Sequence, residues 1–199
     1  MSPANNIGVV ILAAGSSLRL GKPKQLLEFN GKSLLQHSID EATNSNASAV
    51  IVVFGANADS ISKEVDKKSA QIVRNSEWEE GMASSVRNGL STLQRIFPST
   101  DAVIFMVCDQ PFVSASLIND LINKHKETGK LIVTSSYGEA IGPPALFHES
   151  LFNELMRLKG DAGARKIIMQ HNDEVATVLF AKGKIDIDTK EDYESLKNS

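Results

Sequence analysis

Short apolar runs alternate along the chain with longer stretches whose apolar residues recur every three or four positions. The first run, Ile7-Gly8-Val9-Val10-Ile11-Leu12-Ala13, is uninterrupted and rich in β-branched residues, the pattern of a strand buried on both faces of a parallel sheet. Residues 33–44 place Leu34, Leu35, Ile39 and Ala42 at roughly helical spacing, and Ala49-Val50-Ile51-Val52-Val53-Phe54 reads as a second strand ending at Gly55. The same alternation predicts a helix over 60–68, a strand over 70–74, a helix over 82–96, a strand over 102–107, a helix over 114–126 and a strand over 131–135. Beyond Tyr137 the pattern is less regular. Gly142-Pro143-Pro144 leads into Ala145-Leu146-Phe147, and helices near 150–158 and 162–171 precede strands near 174–179 and 184–187.

Alternation of this kind predicts an α/β fold in which helices cover a mostly parallel sheet and ligand loops gather at the carboxyl ends of the strands. The irregular last third reads as an elaboration of one domain over 1–199, since no low-complexity linker or repeat divides the chain. Composition narrows the function classes. The 21 basic and 24 acidic residues are mixed, giving a net charge of −3, and no basic run offers a surface for nucleic acid or membrane. No apolar run approaches the roughly 20 residues that cross a bilayer. The single cysteine, Cys108, and an N-terminus without a leader-like layout point to the cytoplasm.

Four motifs carry candidate chemistry. Leu12-Ala13-Ala14-Gly15-Ser16-Ser17-Leu18-Arg19-Leu20-Gly21-Lys22-Pro23-Lys24-Gln25 follows the first strand directly. Glycine and small residues let backbone N–H groups approach phosphate oxygens, and Arg19, Lys22 and Lys24 neutralise a triphosphate, so the stretch predicts a phosphate cradle. It is neither a P-loop nor a dinucleotide fingerprint, and an exposed turn with solvated cations is the plainer reading. Second, Phe105-Met106-Val107-Cys108-Asp109-Gln110-Pro111 ends an apolar strand on an acid at the ligand edge. Asp109 there is either a magnesium ligand or a helix cap, while Cys108 reads as a strand residue without a partner base. Third, between Arg74 and Arg87, Asn75, Ser84 and Ser85 offer hydrogen bonds to a base or ribose, or simply cap the helix that starts near Gly81-Met82; Trp78 reads as a packing residue. Fourth, Lys184-Ile185-Asp186-Ile187-Asp188 alternates acids with isoleucines, which predicts Asp186 and Asp188 on one face of a strand, as a second metal contact or as the wet face of an edge strand before an Asp/Thr-capped helix. On the substrate side, Gly142-Pro143-Pro144 offers rigid backbone to a ring-shaped acceptor and Gly160-Asp161-Ala162-Gly163-Ala164-Arg165 sets Arg165 near a phosphate, though both also fit ordinary turns.

Taken in this order, from Leu12 to Tyr193, the motifs resemble the molybdenum-cofactor nucleotidyltransferases, especially the cytidylyltransferases among them. The resemblance implies a Rossmann-like three-layer α/β/α nucleotidyltransferase fold, CTP as donor, magnesium as cofactor, and the terminal phosphate of a molybdopterin cofactor as nucleophile, with pyrophosphate released. Under it Arg19, Lys24 and Asp109 are catalytic, and Asp109 with Asp186 or Asp188 holds the metal. Leu12 to Ser17, Arg19, Lys24, Gly55, Asn75, Gly81, Met82, Ser84, Ser85 and Asp109 bind the nucleotide. Gln110, Pro111, Gly142, Pro144, Asp161 and Arg165 face the acceptor. Ala14 stands where guanylyltransferase relatives, with Leu-Ala-Gly-Gly, show a glycine, which leaves less room for a purine and favours cytosine. The chain departs from the pattern at Leu20, where methionine is usual, at Lys190, where proline is usual, and at Gly142-Pro143-Pro144 in place of Gly-His-Pro. The last departure bears on the acceptor, so a GTP-using enzyme or one acting on a sugar or polyol phosphate is the alternative. Transient docking to a molybdenum hydroxylase, or a role as its non-catalytic cofactor-sheltering chaperone, completes the expectations.

Overall fold

In the computed structural model, which describes residues 6–66 and 70–197, the apolar runs assemble into a seven-stranded sheet. Its order is β5 (Gln71–Arg74), β4 (Ala49–Phe54), β1 (Ile7–Ala13), β6 (Ala102–Val107), β8 (Ile141–His148), β7 (Ile132–Ser136), β9 (Val175–Leu179). Every neighbouring pair is parallel except β6·β8 and β7·β8, so β8 alone opposes the rest of this sheet. A separate hairpin, β2 (Glu28–Phe29) and β3 (Lys32–Ser33), turns through Asn30-Gly31 with φ of 50° and 77°, the positive values an Asn-Gly hairpin turn uses.

Strand alternation divides the core in two. Along β1, Ile7, Val9, Ile11 and Ala13 pack with α1 (Leu34–Thr43), α2 (Ala58–Glu64) and α4 (Ala115–Thr128). Val10 packs on the opposite face with α3 (Met82–Ile96), α5 (Phe152–Leu155) and α6 (Arg165–Gln170). The fold is thus the expected Rossmann-like α/β arrangement, helices covering both faces of a mostly parallel sheet. A third cluster, Leu20, Leu27, Leu34, Ile187, Tyr193 and Leu196, seats α7 (Lys190–Lys197) beside the loop after β1. Among the described residues no helix is long and apolar enough to cross a membrane.

Three sequence expectations are corrected. The helix expected over 60–68 is found at Ala58–Glu64, and residues 67 and 68 of that expectation lie outside the described residues. Gly142-Pro143-Pro144, which also fits an ordinary turn, lies inside β8. Prolines cannot donate to a ladder, and they are accommodated here because the β7·β8 register shifts between Thr134 and Ser135, while β6 pairs with β8 only as far as Ala145. Buried Thr134 and Ser135 donate their hydroxyls to the Gly142 and Pro144 carbonyls at 2.8 Å each. The strand expected over 184–187 is absent: Ala181–Lys184 is a 3-10 turn and the described residues beyond it join no sheet.

Candidate active site

Two cavities meet at the carboxyl ends of β1 and β6. The first, about 390 Å3, lies between the loop Ala13 to Ser16, with Lys24 and Gln25, and the start of α3, with Trp78, Gly81 and Ser85. The second, about 410 Å3, opens where β8 stops pairing with β6; Phe105, Ile141, Ala145 and Ile168 give it apolar walls, while Gln110, Asp161, Arg165, Asp186 and Asp188 bring polar groups. Leu12, Met82, Val107, Asp109 and Asp161 line both. Asp109 therefore stands on the boundary between them.

The loop after β1 is held from behind. Gln25, 0% exposed, donates through Nε2 to the carbonyls of Ala13 and Gly15, each at 2.9 Å. Ser17, at φ 57°, accepts the Lys24 backbone N–H on its hydroxyl at 3.0 Å. These contacts place the Lys24 ammonium between two acids: it is paired with Asp109 and, at 2.9 Å, with Asp188. Burial disfavours that ammonium's charge, yet the Asp109 and Asp188 carboxylates outweigh the burial and raise its pKa above the ordinary lysine value. Arg19 bonds the other Asp188 oxygen at 2.9 Å from an exposed position outside the first cavity's wall. The Lys24 hydrogen bond, with burial opposing it, and the two cations hold the Asp188 carboxyl below the usual aspartate value.

Asp109 caps no helix, since α4 is capped by Ser114, whose hydroxyl accepts from the Leu117 N–H at 3.2 Å. One Asp109 oxygen pairs with Lys24, and the other, Oδ1, is buried without a hydrogen-bond partner. A buried carboxylate oxygen without a partner is costly unless a ligand completes it. Burial, and then the charge of Asp109, push the Asp186 carboxyl above the usual aspartate value. Among the described residues no group of three or more acid, histidine or cysteine side chains is gathered closely enough to enclose a metal. Magnesium does not require such a cage, because it commonly takes one or two carboxylates and completes its shell with phosphate oxygens and water. The open oxygen of Asp109 and the neighbouring Asp186 fit that mode, whereas both Asp188 oxygens are engaged by cations.

Beside Asp109, Cys108 is buried, and burial with the adjacent Asp109 charge pushes its thiol up to about 12. A thiol reagent is expected to leave native Cys108 unmodified at neutral pH and to titrate one thiol after denaturation in urea; rapid labelling of folded protein would contradict this placement.

The third motif is partly scaffold. Asn75, 2% exposed, donates Nδ2 to the Ser84 and Ser85 hydroxyls at 2.8 and 3.1 Å, and of these three only Ser85 lines the first cavity. Gly55 is buried behind the loop, where a Cβ would stand 2.6 Å from the Ala14 carbonyl oxygen and from Trp78 Cβ. Gly81 opens α3 at φ 111°, and the loop Gly160 to Arg165 closes over it: the Ala83 N–H donates to Gly160 O at 3.0 Å, and Arg87 donates to Leu158 O at 2.6 Å. A Cβ on Gly81 would meet the Gly160 backbone at 2.7 Å. Gly81→Ala is expected to cost about 1–3 kcal/mol in urea unfolding, from the positive φ and the displaced loop together.

The acids of the fourth motif reach the site without a strand. Ile187 is buried in the third cluster and donates its N–H to the Asp109 carbonyl at 3.0 Å, which pins this extended segment beside β6 and turns Asp186 and Asp188 toward the second cavity. Thr189 and Asp192 then cap α7 reciprocally, Asp192 accepting the Thr189 N–H at 2.8 Å and Thr189 accepting the Asp192 N–H at 3.1 Å. Of the acceptor-side set, Gln110, Gly142, Asp161 and Arg165 line the second cavity, whereas Pro111 and Pro144 do not. Gln25, Trp78 and Tyr137, none of which the motifs singled out for ligand binding, also line one cavity or the other.

Residues 9–175 match the family described as the MobA-like NTP transferase domain. Among curated relatives, the purine catabolism protein PucB of Bacillus subtilis is 29% identical, covering 96% of this chain and 95% of its own. The nicotine blue oxidoreductase of Paenarthrobacter nicotinovorans is also 29% identical, over 81% of this chain and 80% of its own. Rv0371c of Mycobacterium tuberculosis superposes with a TM-score of 0.87 at 30% identity, covering 98% of this chain and 99% of its own. That protein has also been solved as a manganese complex, which superposes with a TM-score of 0.81 at 27% identity over 98% of this chain and 99% of that one.

Proposed function

Because this chain belongs to the family of MobA-like NTP transferase domains, we propose that it transfers CMP from CTP to the terminal phosphate of a molybdopterin-type cofactor and releases pyrophosphate. The observation that carries the proposal is Asp109, whose open carboxylate oxygen lies on the boundary between a cavity walled by a small-residue loop and a lysine and a second, largely apolar cavity. The first cavity takes the triphosphate and the second takes the ring of the acceptor. Lys24 and Arg19 exchange carboxylate partners for phosphate oxygens, and Asp109 and Asp186 would hold magnesium. When bound, the metal neutralises the phosphates and orients the α-phosphate for in-line attack. The attacking group is itself a phosphate and already anionic, so alignment and charge neutralisation suffice without a strong general base. A manganese complex of the similar Rv0371c supports a divalent ion. Ala14, 8% exposed and on the first cavity's wall, supports the smaller pyrimidine.

The apolar walls around Phe105, Ile141 and Ile168 favour a ring over a sugar or polyol phosphate, which would ask for hydroxyl partners on every side. Pyrophosphate release should be followed with CTP, GTP, UTP and ATP against purified molybdopterin and a panel of sugar and polyol phosphates, with magnesium or manganese. Turnover confined to CTP and molybdopterin is the expected outcome. Turnover only with a sugar phosphate refutes the acceptor, and calorimetry that detects no CTP binding returns the chain to the sheltering role.

A further inference from the structure

We infer that Gln25 is a positioning residue for triphosphate binding, acting through the loop it holds rather than by touching the ligand's reacting atoms. The inference rests on the nucleotide site proposed above. Three consecutive carbonyls leave the end of β1, and each is taken by the protein. Ala14 O accepts from the Ala56 N–H at 3.0 Å, while Ala13 O and Gly15 O both accept from the side-chain amide of Gln25 at 2.9 Å. Carbonyl oxygens facing a triphosphate would repel it, and a loop without these partners would have to satisfy them in the cavity or in water.

The orientation of the amide follows from the partners. Turning it over would set Oε1 against two carbonyl oxygens, so Nε2 must face them and spends both its hydrogens there. A trans peptide sets its N–H opposite its C=O. Drawing the Ala13 and Gly15 carbonyls toward Gln25 therefore turns the N–H groups of Ala14 and Ser16 away from it, and both residues line the first cavity. Gln25 Oε1 lies 3.4 Å from the Ser17 hydroxyl, which also accepts the Lys24 N–H at 3.0 Å. One buried side chain thus ties the direction of the loop's donors to the backbone that carries the Lys24 ammonium. Its complete burial, at 0% exposure, keeps water from substituting for the amide.

Gln25→Met keeps the length and loses both donors. Calorimetry on the full chain with magnesium is expected to show CTP bound about 30-fold more weakly than by the unmutated protein, and CMP within about threefold of it, because the lost donor alignment serves the β- and γ-phosphates. Equal losses for CTP and CMP would mean a merely structural side chain and would overturn the inference, as would undiminished CTP binding. A second measurement avoids mutation: titrating the 15N-labelled native protein with inorganic pyrophosphate is expected to shift the Ser16 amide resonance strongly, and an indifferent Ser16 amide overturns the inference. If the native protein binds neither pyrophosphate nor CTP, the proposed function fails and takes this inference with it; if it binds both and Gln25→Met binds CTP as well, Gln25 alone is refuted.

Discussion

Asp109→Asn is expected to lower the rate of magnesium-dependent pyrophosphate release by about a thousandfold while the chain stays folded. The substitution keeps the shape of the side chain and removes its charge. One Asp109 oxygen is committed to Lys24 and the other is open and buried, so asparagine retains some packing but offers no anionic oxygen to a divalent ion. The size of the effect follows from what a preorganised charge contributes in a site shielded from water, where removing one stabilising group costs about a hundredfold to a thousandfold. Asp186 remains as a single carboxylate, and its raised pKa makes it the weaker metal partner as the solution is acidified. Far-UV circular dichroism and urea unfolding should accompany the kinetics. A folded Asp109→Asn protein that turns over within tenfold of the native rate would remove Asp109 from the chemistry and leave it as the partner of Lys24.

How far the sequence foretold this site depends on which physical signal each residue carried. The strands β1, β4 and β6 and the helix α3 occupy the predicted ranges, because unbroken β-branched runs and a long amphipathic stretch leave little choice of element. β8 escaped because Gly142-Pro143-Pro144 looks like a turn; only the bulge against Thr134 and Ser135 makes room for it, and a bulge is a property of two strands. The two-residue strands β2 and β3 are too short to show an alternating pattern, and Asn30-Gly31 is the one local signal of their hairpin. In the fourth motif the alternation of isoleucine and aspartate correctly grouped Asp186 with Asp188, yet it assigned a strand, since an extended segment pinned by Ile187 alternates in the same way. Asp109 was legible because an acid that ends an apolar strand stands at the ligand edge. Gln25 was not. A glutamine among Lys22, Lys24 and Leu26 reads as a surface residue, and only the fold reveals that the carbonyls of Ala13 and Gly15 lie in reach of it. Trp78 packs against the core as expected and also walls the first cavity, two roles that its sequence context does not separate.

Lys24→Met should affect activity, stability and metal binding together, and the signs distinguish its roles. The Lys24 and Asp109 side chains are 17% and 15% exposed, so removing the ammonium leaves a largely buried carboxylate without its partner, at a cost of about 3 kcal/mol in urea unfolding at neutral pH. The folded-state pKa of Lys24 is raised, so its contribution is fully present below the unfolded lysine pKa and fades only as pH climbs through the folded value. The folded-state pKa of Asp188 is lowered, so its share is present above the unfolded aspartate pKa and is lost as pH falls through the folded value. The stability gap between native and Lys24→Met proteins should therefore be widest near neutrality and narrow in acid, where the carboxylates protonate and no longer need the cation. Magnesium should narrow it as well, because an ion held by Asp109 and Asp186 replaces the missing charge; the substituted protein should gain more from added magnesium than the native one, in which the ammonium already neutralises Asp109 and repels a second cation. Turnover should nonetheless fall about a hundredfold, since a metal restores the resting charge but does not supply the phosphate donor that the proposed reaction asks of Lys24. Equal magnesium stabilisation of the two proteins would show that the lysine and the ion do not meet at Asp109.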